Sequence, residues 1–266
     1  MHRAAVIIPA RFNSTRFPGK PLASLKGKPI IQWVYEHAAS ANSINTTLVA
    51  TDSKQIYDTV LGFGGKVVMT SEKHQSGTDR IAEAAGSIDC DIVVNVQGDE
   101  PFIMPEMVND VVRLLSDDSR ASISTLAKKI TDPEEILSPN VVKVVFDNEG
   151  FAMYFSRAPI PYNRDLWKIS SRLIRDKFQI SDSTHHALPI THYGCYKHIG
   201  IYGYRKDVLF KFASMPPDKL ELTEKLEQLR ALASGMKIKV KETPYDTFGI
   251  DTAEDLKKAE RRWHIN

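Results

Sequence analysis

AAVIIPARFNSTRFPGKPLASLKGKP, residues 4–29, decides how the rest of the chain is read. Ala4 to Ile8 is a short apolar run that reads as a buried strand stopping at Pro9. A polar loop carrying Arg11, Arg16 and Lys20 follows, and a helical pattern opens near Pro29. Strand, cationic loop, helix is the order in which an α/β domain builds a phosphate site at the carboxyl edge of its sheet. Arginine forks match phosphate oxygens, lysine adds a mobile point charge, and Gly19 lets the backbone come close to a ligand. The loop therefore reads as a grip for a nucleoside triphosphate. Taken alone, it reads equally as a solvated basic loop, because charged runs usually face water. It is not a Walker loop, and no G-x-G-x-x-G follows the strand.

Outward from this stretch, apolar runs alternate with helical patterns. Residues 30–39 place Ile30, Ile31, Val34, Tyr35 and Ala38 on one helical face. Strands are expected at 46–50, 66–69 and 91–96. Helices are expected at 53–63, closed by Gly64 and Gly65, at 78–85, and at 105–115 with Pro105 in the first turn. That alternation predicts a Rossmann-like, mainly parallel sheet with helices on both faces. After Ala121 the rhythm changes to strand-like runs. NVVKVVFDNEGFAMYFS reads as a hairpin turning at Asp147 to Gly150. A smaller antiparallel part is expected over 121–205, added to a core of 1–120 and completed by 206–266 within one domain of 1–266. Residues 170–196 are polar, histidine-rich and weakly patterned, and read as a long surface segment. Helices at 206–213 and 220–234, a strand at 237–241 and a closing helix at 251–263, begun by Asp251 or Thr252 as N-cap, complete the chain.

Composition narrows the function classes. The 266 residues are 42% hydrophobic and 26% charged, enough for a full core. A formal net charge of only +2, with both signs spread along the chain, argues against a nucleic-acid partner. No stretch reaches the roughly 18 consecutive apolar residues of a membrane helix. Pro9 and Arg11 cut short any signal-peptide core. The two cysteines, Cys90 and Cys195, form no metal or disulfide spacing and fit a reducing compartment, so a cytoplasmic location is expected.

Further blocks carry candidate chemistry. Gln97-Gly98-Asp99-Glu100-Pro101 follows the β-branched run DIVVNV, which puts a carboxylate at the ligand edge of the sheet. One or two carboxylates are what Mg²⁺ takes from protein when phosphates and water supply the rest, although an acid after a strand is also an ordinary turn residue. Asp251, in FGIDTAEDL, is a plain N-cap unless folding brings it to Asp99, when the pair could hold Mg²⁺. Gln75-Ser76-Gly77-Thr78-Asp79-Arg80 suits a small polar ligand at a helix start, or simply a capped helix.

Together these blocks resemble the 3-deoxy-D-manno-octulosonate (Kdo) cytidylyltransferase family. The segments carrying the resemblance are IIPARFNSTRFPGKPL, VATD, GGKVVMTSEKHQSGTDRIAE, VVNVQGDEP, LSPNVVKVVFDNEGFAMYFSRAPIP, YKHIGIYGYR, EKLEQLRAL and GIDTAEDL, in the family's order over nearly the whole chain. The resemblance implies a glycosyltransferase-A-like nucleotide fold and a homodimer. It also implies a Mg²⁺-dependent reaction of CTP with Kdo that gives CMP-Kdo and pyrophosphate and activates Kdo for lipopolysaccharide synthesis. On that pattern Arg11, Arg16 and Lys20 hold the triphosphate. Gln75, Ser76, Gly77, Thr78, Arg80, Gln97 and Gly98 lie by the nucleotide. Asp99 and Asp251 match the metal-binding aspartates and, with Lys20, carry the catalysis. Arg157, Arg164, His198, Tyr202, Glu227 and Gln228 match the sugar side. The 167–195 segment departs from the family pattern in length. Read singly, His198 is equally a core histidine, Glu227 a paired helix acid, and Tyr202 a packing residue beside Tyr204.

Other readings of the same residues stay open at this point. A related sugar-nucleotide synthetase taking a sialic acid, an amino-Kdo or a different NTP stays open, because a sugar pocket changes by one or two side chains. A nucleotide-sensing module would bind without turnover. A nicotinamide dehydrogenase lacks its glycine fingerprint here.

Overall fold

A computed structural model describes residues 2–13, 16–74, 76–162 and 194–263. Ala4–Ala10 forms β1, buried along its whole length. Ala4, Val6, Ile8 and Ala10 enter one core layer, while Ala5 and Ile7 enter the other. A strand covered on both faces needs apolar residues on both, so the run is continuous rather than alternating. The stop expected at Pro9 does not occur, because Pro9 pairs with Ala50 inside β1. The Ile7 carbonyl accepts from the Val96 N–H, so Pro9, two residues on, faces the same side. The neighbouring strand there has already ended at Asn95, and the missing proline N–H costs no ladder bond.

A 3-10 turn at Lys20–Leu22 and the short strands β2 (Ser24–Leu25) and β3 (Lys28–Pro29) lead into α1 (Ile30–Ala39). Then come β4 (Thr46–Thr51), α2 (Lys54–Gly62), β5 (Val67–Met69), α3 (Gly77–Gly86), β6 (Ile92–Asn95) and α4 (Pro105–Asp117). Strands β6, β1, β4 and β5 lie side by side and parallel. Ile30, Ile31 and Val34 of α1 and Val108, Val111 and Leu115 of α4 fill one layer, and Ile81, Ala84 and Ala85 of α3 the other. Each such fully buried branched side chain contributes on the order of 1.5–3 kcal/mol. The chain winds from β1 towards β5 and then crosses back to β6 on the other flank of β1. That reversal leaves a crevice where the loops after β1 and β6 diverge.

The second half contains β7 (Ile123–Lys129), α5 (Pro133–Leu137), β8 (Lys143–Phe146), β9 (Ala152–Ser156), β10 (Tyr196–Arg205) and α6 (Lys206–Ala213). It ends with α7 (Lys219–Glu224), α8 (Gln228–Ala233), β11 (Ile238–Glu242) and α9 (Ala253–Arg262). Strands β7, β10 and β11 extend the main sheet in the order β11-β7-β10-β6-β1-β4-β5, with β10 antiparallel to both neighbours. The β8–β9 hairpin branches from the start of β10 as the small antiparallel part, and Gly150 takes a φ of 80° in its turn. Among the described residues no helix is long and apolar enough to cross a membrane.

Two of the expected elements shape the site, and one of them differs from expectation. The single helix expected at 220–234 is broken: Lys225 sits in the left-handed region at φ 55°, ψ 45° between α7 and α8. The carbonyls freed at the break have partners from elsewhere. Arg157 Nε donates to the Glu224 carbonyl at 2.8 Å and its NH2 to the Lys225 carbonyl at 3.5 Å. The fully buried Lys143 ammonium donates to the carbonyls of Ser138, Val141 and Arg157 at 2.9, 2.6 and 2.5 Å. At α9 the structure decides between the two expected N-caps: it is Thr252, in a reciprocal box with Asp255. Asp251 is thereby spared from capping, and its carboxylate turns to the β1 loop.

Candidate active site

The crevice between the β1 and β6 loops opens into a cavity of about 490 Å³. Its lining includes Arg11, Arg16, Lys20, Ser76, Gly77, Arg80, Gln97, Gly98, Asp99 and Asp251. Folding therefore brings together residues from 11 to 251 that sequence spacing leaves far apart. Gly19 carries the loop through a left-handed turn at φ 70°, and Lys20 opens the 3-10 turn that aims its side chain inward. Gly98 packs so close to β1 that an added Cβ would stand 2.9 Å from the Pro9 carbonyl oxygen. Only glycine lets the β6 loop approach β1 this closely.

Lys20 is the hub of the cavity. Its ammonium lies 2.5 Å from Asp99 Oδ2 and 3.0 Å from Asp251 Oδ1. Arg16 NH2 lies 3.1 Å from Asp251 Oδ2. The backbone ties the same pair, since the Ile250 N–H donates to the Asp99 carbonyl at 2.9 Å. Burial by itself lowers the Lys20 pKa, but the charge and hydrogen bonds of Asp99, then those of Asp251, outweigh it and raise the pKa overall. Beside them, burial and then the charge of Asp99 push Glu100 up to about 7. Arg80 is 4% exposed and locked by 2.5 Å bonds to Thr70 Oγ1 and Asp52 Oδ2.

A second cavity of about 170 Å³ adjoins the first. It is lined by Gly77, Thr78, Asn95, Gln97, Tyr202, Tyr204, Glu227 and Gln228, so Gly77 and Gln97 belong to both. The helix break after α7 turns Glu227 and Gln228 towards this space. Glu227 accepts from Thr78 Oγ1 at 2.6 Å and from Arg230 NH2 at 2.9 Å. Burial raises its pKa, against the lowering effects of Thr78 and Arg230. Gln97 Nε2 donates to Asn95 Oδ1 at 3.0 Å, which leaves the Gln97 carbonyl oxygen as the acceptor offered to the cleft. Tyr202 reaches the cavity through an irregularity in β10: Ile199 pairs with Leu126 and Tyr202 with the very next residue, Thr125. The loosened carbonyls of Ile199 and Ile201 accept from Thr125 Oγ1 at 3.2 and 2.7 Å.

Other expected site residues lie elsewhere. The His198 ring packs at a tilt, 5.1 Å from the Tyr202 ring, and its Nε2 is 2.9 Å from Thr125 Oγ1. Burial pushes its pKa down to about 3. Arg157 lines neither cavity, since its guanidinium is spent on the carbonyls of Glu224, Pro139 and Lys225. Gln75, Arg164 and most of the 167–195 segment lie outside the described residues. Asn13, His74, Asn95 and Asp52 were missed in the sequence. Asn95 was signalled by an amide inside the β-branched run DIVVNV, and His74 by its place directly before the Gln75 to Arg80 block. Asp52 closes the segment VATD, but its role gave no local sign because its partner Arg80 is distant in sequence.

A cationic, carboxylate-bearing cleft at the reversal point of a parallel sheet defines a nucleotide-handling α/β enzyme, and the cytidylyltransferase family model matches residues 5–238. Two curated relatives carry the name 3-deoxy-manno-octulosonate cytidylyltransferase. That of Geobacter sulfurreducens is 49% identical over 95% of this chain and 96% of its own length. That of Thermodesulfovibrio yellowstonii is 50% identical over 96% of each. A solved structure described as CMP:2-keto-3-deoxy-manno-octonic acid synthetase complexed with CTP superposes with a TM-score of 0.85, at 37% identity over 99% of both chains. A 4-diphosphocytidyl-2C-methyl-D-erythritol synthase from Anaerococcus prevotii, at 15% identity and a TM-score of 0.60 over 99% of this chain and 96% of its own, shares the fold. The chain belongs to the 3-deoxy-manno-octulosonate cytidylyltransferase family and is a nucleotidyltransferase.

Proposed function

We propose that this enzyme joins CTP and Kdo to give CMP-Kdo and pyrophosphate. One observation carries the reading: a nucleotide-sized cationic cavity opens, through the shared Gly77 and Gln97, onto a smaller polar cavity. The names of its relatives supply the identity of the two substrates. In this reading Arg11, Arg16 and Lys20 hold the triphosphate. Ser76 to Thr78, the buried Arg80, Gln97 and Gly98 frame the nucleoside. Tyr202, Glu227 and Gln228 meet the hydroxyls of the acidic sugar.

The Kdo 2-hydroxyl oxygen attacks the α-phosphorus in line. The new P–O bond forms as the α–β bridge breaks, pyrophosphate leaves with the electron pair, and the hydroxyl proton passes to water. Positioning and charge neutralisation supply most of the acceleration. Lys20 and Arg11 neutralise the departing pyrophosphate. No general base is assigned.

Mg²⁺ fits the donor set. Two carboxylates from Asp99 and Asp251 already converge on one cation, the Lys20 ammonium, and phosphates with water would complete the shell. When bound there, the ion would stabilise negative charge on the phosphate oxygens as a Lewis acid. We expect a cytoplasmic homodimer, whose contact would draw on exposed Met153, Leu220 and Leu222; light scattering tests the dimer.

The test is pyrophosphate release. Wild-type protein with CTP, Mg²⁺ and Kdo should release it rapidly, and far faster than with UTP, ATP or a sialic acid. Asp99→Asn should lower kcat/KM by several kcal/mol, on the order of a hundredfold or more. Near-normal turnover by Asp99→Asn would remove Asp99 from the machinery. Release that needs no Kdo would remove the acceptor assignment.

A further inference from the structure

Every described ion pair of Asp99 and Asp251 is made with a cation of the loop after β1. Lys20 bridges Asp99 Oδ2 and Asp251 Oδ1, and Arg16 holds Asp251 Oδ2. The Lys20 side chain is only 12% exposed, so its ammonium is packed between the carboxylates rather than waving in solvent. Three of the pair's four carboxylate oxygens, Asp99 Oδ2 and both of Asp251, are therefore already met by cations of this chain.

A divalent ion seated between Asp99 and Asp251 would stand close to the Lys20 ammonium that now bridges them. Like charges at that distance repel strongly in a partly dry site. We propose that Lys20 is a resident placeholder cation, which a divalent ion must displace from Asp99 and Asp251, and whose displacement hands its charge to the triphosphate. The inference rests on the nucleotidyl-transfer reading given above and extends it to the order of events in the cleft.

The consequence is a coupling between sites. Without nucleotide, a displaced Lys20 has no anion to meet, so the divalent ion binds weakly. With the triphosphate present, Lys20 exchanges one set of anionic oxygens for another, and the ion enters at less cost. By linkage each ligand then tightens the other equally. The arrangement also keeps the two carboxylates apart from mutual repulsion before substrate arrives, because a cation always stands between them. Arg16 plays a lesser part: it holds a single oxygen and is 64% exposed, so solvent screens it.

The experiment is a nucleotide-free titration with Mn²⁺, read by the loss of its free EPR signal and by the rise in melting temperature. Wild type, Lys20→Met, Lys20→Gln, Arg16→Ala and the double variant Lys20→Met/Asp99→Asn are compared, with circular dichroism as the folding check. Wild type should bind Mn²⁺ weakly. Lys20→Met and Lys20→Gln should bind it roughly tenfold more tightly although they have lost turnover, the effect expected for removing one competing charge. Arg16→Ala should tighten binding roughly two- to threefold, which keeps the test open if both Lys20 variants fail to fold. The double variant should lose the gain. Mn²⁺ affinity in the Lys20 variants equal to or weaker than in wild type would overturn the placeholder role, as would a gain that survives Asp99→Asn. Failure of the nucleotidyl-transfer reading shows separately, as absence of pyrophosphate release by the wild type.

Discussion

His198 sits directly beside Tyr202, a residue that lines the smaller cavity. Its ring packs against Phe155 and Tyr202 at 5.1 Å each, and its Nε2 meets Thr125. Burial holds the imidazole neutral, with a pKa of about 3 against 6.5 for an exposed histidine. The folded-state pKa is depressed, so between pH 6.5 and 3 the unfolded chain binds a proton that the fold refuses. The stability contribution is therefore complete above pH 6.5 and lost as pH falls through that window. We predict that lowering the pH from 7 to 5 costs about 2 kcal/mol through this residue alone. Denaturant unfolding should show that loss in wild type and a flatter profile in His198→Gln; identical profiles would contradict the burial argument. The resemblance implies that His198 lies on the sugar side; the structure sets it, half-buried, against Tyr202 of the smaller cavity. A sequence shows that a histidine alternates with apolar neighbours, but not which side of the resulting strand the cavity lies on.

At the scale of elements, the break between α7 and α8 decides what the second cavity contains. The 220–234 stretch carries a continuous helical pattern, and nothing local marks Lys225 as the stopping point. The deciding group, Arg157, stands 68 positions before Lys225 and donates to the Glu224 and Lys225 carbonyls, while Lys143 in turn holds the Arg157 carbonyl. Sequence patterns report local propensity, while this break is imposed from a distance. Lys225→Gly should be neutral or stabilising by up to about 1 kcal/mol, because glycine accepts the left-handed conformation without strain. Lys225→Val should destabilise by about 1–2 kcal/mol and raise KM for the acceptor more than for CTP, since Glu227 and Gln228 would lose their aim. Melting curves with paired KM measurements check this; equal shifts in both KM values would count against it. Other elements were plain in the sequence: α1 matches its expected span, and the turn around Gly150 forms as the hairpin pattern requires. Both are written in short-range periodicity and turn chemistry.

Across the whole molecule, the site is assembled by long-range closure. Asp251 precedes α9, and α9 is held down by an aromatic cluster that also touches the β6 loop. Trp263 lies 4.4 Å from Trp33 of α1 and 5.2 Å from Phe102, and Phe248 faces Phe102 at 6.4 Å. His37 adds a 2.8 Å contact to the Pro101 carbonyl. These rings fasten the chain's C-terminal part to its N-terminal part and so fix the approach of Asp251 to Asp99. Trp263→Ala should cost about 2–3 kcal/mol of stability and raise the Mg²⁺ concentration needed for half-maximal turnover, with less effect on KM for CTP. A stability loss with unchanged Mg²⁺ dependence would reduce the cluster to packing. The mainly parallel sheet could be read from the β–α alternation of the first half. The insertion of antiparallel β10 between β6 and β7 could not, because strand order is set by contacts that no local pattern encodes. The same limit hid Asp52, whose only role in view is to grip Arg80.

The central claim is that the two adjoining cavities bring an acidic sugar to the α-phosphate of CTP. The most direct measurement follows the phosphorus. Wild-type protein is incubated with Mg²⁺, Kdo and CTP labelled at either the α or the γ position, and products are separated. The account predicts that α-label passes into a Kdo-dependent CMP-sugar while γ-label leaves in pyrophosphate, in equal amounts. Gamma-label released as inorganic phosphate, or α-label that stays in free nucleotide whatever sugar is present, would contradict it.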